Sequence, residues 1–126
     1  MTRVFLADAH REERAALRLL LQDLGLELVG ETGDWLVLLA RFAANCPDML
    51  VLDSDLLPGE PAAAFERLRL ACPRAVVLLS GRAESYEQAA RAAGIQALTV
   101  IGKTEPPERV AERLRLAAQN ASIPSG

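Results

Sequence analysis

Short, almost uninterrupted apolar runs alternate along this chain with longer segments whose apolar side chains recur at helical spacing. Arg3–Ala7, Leu26–Gly30, Met49–Leu52, Ala75–Leu79 and Leu98–Ile101 have the density of strands covered on both faces. Between them, His10–Leu24 puts Leu17, Leu20, Leu21 and Leu24 on one stripe, and Asp34–Asn45, Glu60–Ala71, Glu84–Ala93 and Pro107–Gln119 read as further helices. The punctuation agrees. Gly25 and Gly94 stop helices, Asp34 is placed as an N-cap, and Cys46-Pro47 and Cys72-Pro73 mark two helix-to-strand joints, because proline cannot continue a helix.

Five strand–helix alternations predict parallel pairing through right-handed crossovers, with helices on both faces. The expected fold is α/β: a flavodoxin-like (βα)5 doubly wound parallel five-stranded sheet in the order 2-1-3-4-5. In that fold ligands bind at the carboxyl ends of the strands. The length of 126 residues suits one domain over 1–120, with 121–126 (ASIPSG) as a tail or the start of a linker.

Hydrophobic residues make up 51% of the chain and aromatics only 4%, so aliphatic side chains must build the core. A net charge of −3 and a pI near 5.2 argue against direct nucleic-acid binding. No apolar stretch approaches the roughly 18 residues of a membrane span. The opening Met1-Thr2-Arg3 lacks the layout of a signal peptide, which predicts a cytoplasmic location. In that setting Cys46 and Cys72 are expected to be structural thiols at repeated joints, not a disulfide or a metal pair.

Candidate chemistry lies at the strand ends. The first, third, fourth and fifth apolar runs terminate at Asp8, Asp53, Ser80 and Lys103, and Lys103 is the only lysine among fourteen basic residues. Neighbouring strands lie about 4.8 Å apart, so in the 2-1-3-4-5 order these four side chains can converge on one point. Two carboxylates, a hydroxyl and an ammonium suit phosphoryl chemistry: a carboxylate nucleophile, a Mg²⁺ held by acids, and a lysine on a phosphoryl oxygen.

With these residues the chain resembles the receiver domain of bacterial two-component response regulators, especially those with a helix-turn-helix output. The stretches that carry the resemblance are Val4-Phe5-Leu6-Ala7-Asp8-Ala9-His10, Val29–Asp34, Pro47–Asp53, Leu56-Leu57-Pro58-Gly59, and Lys103 ahead of Pro107-Glu108. The resemblance implies that Asp53 is the phospho-acceptor, Asp8 the first acid of the metal site, Ser80 the hydroxyl that reports phosphorylation, and Lys103 the phosphate-binding lysine. It also implies a sensor histidine kinase or other regulatory protein as partner, a homodimer, and a DNA-binding output domain outside this chain.

The departures from that pattern shape the functional expectation. The second acid that usually ends the first strand is here Ala9, which cannot bind metal. The loop after Asp53 has one extra residue before Pro58, and Asp55 sits where a backbone carbonyl normally faces the metal. The expectation is a receiver that regulates by protein–protein interaction, with weak Mg²⁺ binding through Asp8, Asp53 and Asp55 and weak or dispensable phosphorylation. The alternative is a fully phospho-accepting receiver in which Asp55 compensates. Asp53-Ser54-Asp55 also fits the Asp-x-Asp signature of phosphatases with an aspartate nucleophile, although in those enzymes it ends the first strand; an enzyme is not the expected reading. His10 is expected to be solvent-facing or capping. The arginines of the first and fifth helices are expected to pair with Glu12, Glu13, Glu108 and Glu112. In the second helix Leu38, Leu39 and Phe42 are expected to face inward, leaving Trp35, Leu36 and Val37 as an outward interaction surface.

Overall fold

A computed structural model describes residues 1–81, 83–95, 98–102 and 104–122. The chain runs β1 (Arg3–Ala7), α1 (Arg11–Asp23), β2 (Glu27–Thr32), α2 (Trp35–Asn45), β3 (Met49–Asp53), a 3₁₀ turn (Ser54–Leu56), α3 (Pro61–Ala71), β4 (Val76–Ser80), α4 (Ala83–Ala92), β5 (Leu98–Ile101) and α5 (Pro107–Ser122). All strands pair in parallel, in the order β2-β1-β3-β4-β5. The expected sheet and its helices are therefore present. The 3₁₀ turn lies in what reads from sequence as loop, and α5 extends two residues into the expected tail, whose residues 123–126 lie outside the described residues.

Strand alternation divides the core into two layers. Phe5, Ala7, Leu50, Leu52 and Val77 meet Leu38 and Phe42 of α2, Phe65 and Leu68 of α3, and Ala90 of α4. Val4, Leu6, Met49, Val51 and Leu78 meet Leu21 of α1 and Leu114 and Ala117 of α5. Successive side chains of a strand point to opposite faces, so one short strand supplies both layers.

At α2 the side chains distribute differently from the expectation. The Asp34 carboxylate accepts from the Val37 amide at 3.0 Å, which makes it the expected N-cap. Leu38 and Phe42 are buried, and Leu36 and Val37 are exposed. Trp35 does not point outward: it is partly buried and packs against the core layer. At the first helical position its ring turns toward this layer and is only partly in contact with water.

Two further expectations are corrected. Cys46 and Cys72 form a disulfide, with Cα atoms 5.4 Å apart, inside the roughly 4.4–6.8 Å that a bridge spans. The similarity of the two joints is the reason: α2 and α3 lie side by side and each ends at its cysteine, so the thiols meet at the amino edge of the sheet. Cys46 adopts a left-handed conformation (φ 37°), which a non-glycine residue reaches at about 1–2 kcal/mol. The arginines also choose other partners. Arg18 makes a two-pronged pair with Glu31 of β2 at 2.7 and 3.0 Å, and Arg113 of α5 lies 3.8 Å from Glu105.

Candidate functional site

The carboxyl edge of the sheet carries Asp8 just beyond β1, Asp53 at the end of β3 and Ser80 at the end of β4. Asp53 and Ser80 are paired in the strand register. All three are buried, with exposures of 1%, 1% and 6%. The structure thus brings together three of the four predicted strand-end groups. Lys103 lies outside the described residues.

Backbone amides organise the acids. Asp53 accepts from the Ala9 amide at 3.2 Å through Oδ2 and from the Asp55 amide at 3.0 Å through Oδ1. Asp8 accepts from the His10 amide at 2.8 Å through Oδ1, and the Asp8 carbonyl accepts from Arg14 Nη1 at 2.8 Å. Gly33 makes room for that arginine: a Cβ there would stand 2.6 Å from Arg14 Nη1 and 3.2 Å from the Asp8 carbonyl oxygen. The β2–α2 loop is thereby fitted to the site.

Asp8 Oδ2 is buried without a hydrogen-bond partner. Burial away from water, opposed by the His10 amide and reinforced by the charge of Asp53 and by the hydrogen-bonding reach and charge of the Glu13 carboxyl, pushes the Asp8 carboxyl up from 3.8 to about 7. An acid this crowded by other acids holds a proton or welcomes a cation.

Two further residues stand at the site, and His10 among them keeps its side chain exposed, as expected. Glu13 lies one helical turn into α1 from the Asp8-Ala9 corner. One ligand atom each from His10, Glu13 and Asp53 falls within 4.8 Å of the others. The sequence signal for Glu13 is its position: the first turn of the helix that follows the first acid points back to the strand ends. His10 precedes α1 but does not cap it with its side chain. Its Nε2 donates to Asp55 Oδ2 at 2.8 Å and stands 3.7 Å from Asp53 Oδ2. Asp55 is therefore engaged with His10, and Glu13 supplies the additional carboxylate near Asp53. A largely apolar cleft of about 350 Å³ between α1 and the start of α5 reaches the site at Glu13 and Ser80.

Solved structures with this architecture include a two-component response regulator of the LuxR family from Aurantimonas sp. SI85-9A1 (20% identity, TM-score 0.78, 94% of this chain and 86% of that one). The signal receiver domain of NarL from Mycobacterium tuberculosis is similar (24%, TM-score 0.76, 94% and 96%). So is the chemotaxis protein CheY4 of Vibrio cholerae (20%, TM-score 0.76, 93% and 98%). No family model matches the chain, and no curated protein does. The chain has the receiver-domain fold of response regulators.

Proposed function

We propose that this chain is a signal-transduction receiver in which Asp53 is the phospho-acceptor and Ser80 and Lys103 bind the phosphoryl group. The observation that carries this reading is the convergence of buried Asp8 and Asp53 at the carboxyl edge, with Ser80 in register beside Asp53. In the transfer, an Asp53 carboxylate oxygen bonds to the phosphorus of a donor, and the bond from phosphorus to the leaving group breaks with its electron pair. The residues present fit a cation, since Asp8 Oδ2 is buried and unpartnered beside two other carboxylates. Asp8, Glu13 and Asp53 would hold it, and it would offset charge on the phosphoryl oxygens. Asp55 serves chiefly to hold His10, and the lost acid at Ala9 makes transfer slow.

The domain acts by binding other proteins rather than by turning over a substrate. A sensor kinase or another regulator is the input, an output domain outside residues 1–120 is the target, and a cytoplasmic location follows from such partners. Leu36 and Val37, exposed at the start of α2, offer the apolar surface for a partner or a second copy, with Trp35 packed beneath them.

The test is the intact mass of the protein after incubation with a small phosphodonor, with and without Mg²⁺, beside Asp53→Asn. A phosphoryl adduct that requires a divalent cation and vanishes in the variant is expected, and turnover of an aryl phosphate is not. An adduct that persists in Asp53→Asn overturns the assignment.

A further inference from the structure

We infer that this pocket selects a transition-metal dication of the zinc or cobalt type over magnesium, with His10, Glu13 and Asp53 as ligands and Asp8 completing the anionic set. The inference deepens the receiver reading and rests on it for the identity of the pocket. Its first support is geometric. The three ligand atoms lie within 4.8 Å of one another, and His10 Nε2 is 3.7 Å from Asp53 Oδ2. With metal–ligand bonds of about 2.0–2.2 Å, neighbouring ligands stand roughly 3.0–3.5 Å apart, so small side-chain rotations close the set.

The second support is a further acid, Asp8. Asp8 is 1% exposed, and its Oδ2 finds no hydrogen-bond partner. A buried carboxylate oxygen is rarely left so. The Ala9 amide donates to Asp53 Oδ2 and the His10 amide to Asp8 Oδ1, so one short turn holds both carboxylates beside the same point. A dication there would satisfy the oxygen and neutralise the surrounding acids.

The choice of metal follows from the ligand types. Magnesium demands oxygen ligands in near-octahedral order and keeps several waters. Ala9 removes an oxygen from the strand end, and the adjacent residue brings an imidazole nitrogen in its place. Imidazole with carboxylates suits zinc, cobalt and nickel. Asp55 Oδ2 lies 2.8 Å from the same His10 Nε2, so a dication bound at that nitrogen takes the place of the proton shared with Asp55.

The test is direct metal binding with the disulfide intact and no phosphodonor present. Zn²⁺, Co²⁺ and Mg²⁺ are titrated separately by calorimetry, and Co²⁺ is also followed by its visible absorption. His10 is the only histidine of the chain, so nitrogen ligation reports on this site alone. One Zn²⁺ or Co²⁺ per chain is expected, bound more tightly than Mg²⁺ by more than about tenfold. His10→Asn, at a side chain 53% exposed, leaves the fold intact by circular dichroism. It lowers Zn²⁺ affinity by about 10–100-fold and leaves Mg²⁺ binding unchanged. Glu13→Gln weakens both metals, and Ala9→Asp shifts the preference back to Mg²⁺. Mg²⁺ binding as tight as Zn²⁺, or zinc affinity unmoved by His10→Asn, overturns the inference. Zinc binding without any adduct on Asp53 defeats the phospho-acceptor reading alone; a Mg²⁺-dependent adduct without zinc binding defeats the metal assignment alone.

Discussion

The two edges of the sheet are built on opposite principles. At the amino edge the polar groups of the Arg3–Asp48 corner are paired with one another. The Asp48 carboxylate accepts from the Arg3 amide at 2.9 Å, and the Asp48 amide donates to the Arg3 carbonyl at 2.9 Å. Val76 N–H donates to the Asp48 carbonyl at 2.9 Å, tying β4 to the same corner, and the Cys46–Cys72 bridge joins the ends of α2 and α3 beside it. At the carboxyl edge a carboxylate oxygen is buried without a partner and three acids face one another. One edge spends its side chains on cohesion, and the other holds charge that only a ligand can settle. Removing a carboxylate should therefore stabilise the protein at one edge and destabilise it at the other.

The largest expected effect is at the amino edge. Reducing the Cys46–Cys72 bridge, or making Cys72→Ser, releases a loop with a sequence separation of 26 and lowers stability by roughly 3 kcal/mol in urea denaturation. No change on reduction would mean that the bridge adds nothing to this edge.

Next comes Asp8→Asn, with the opposite sign. The folded protein holds the Asp8 proton up to about pH 7, whereas the unfolded chain releases it near 3.8. The folded state thus binds more protons between these values, and stability is lost as pH rises through about 7. Asp8→Asn removes that slope and gains about 1–4 kcal/mol at pH 8, with little gain at pH 4. Paired urea titrations at the two pH values check it, and a loss of stability at pH 8 would break the comparison.

Asp48→Ala removes the acceptor for the Arg3 amide and lowers stability by about 1 kcal/mol in the same urea titrations. The smallest effect is at Leu36, 71% exposed. Leu36→Glu changes stability by less than about 0.5 kcal/mol but reduces self-association or partner capture in light scattering, if the α2 surface works as proposed.

Much of the site was legible because each strand-end residue follows directly on a short apolar run. Asp8, Asp53 and Ser80 were placed by the ends of their strands, and the strand order set them side by side. Glu13 and His10 were not legible in the same way. Whether the first turn of α1 aims a side chain at Asp53 or at solvent depends on how that helix leaves the strand, which Gly33 and Arg14 help to set through the Asp8 carbonyl. The Trp35 ring was misplaced for a related reason: helical periodicity fixes which residues share a stripe, but not how far a long side chain at the helix start reaches back toward the sheet.

The sequence by itself determined the elements, their parallel order and the acids at the strand ends, because apolar periodicity and helix punctuation are local signals spanning a few residues. Only the tertiary structure decided that Glu13 and His10 stand near Asp53, that His10 bridges toward Asp55 across 45 positions, and that Cys46 meets Cys72. Those partners are distant in sequence, and where they meet depends on how each crossover helix packs, which no short window of sequence encodes.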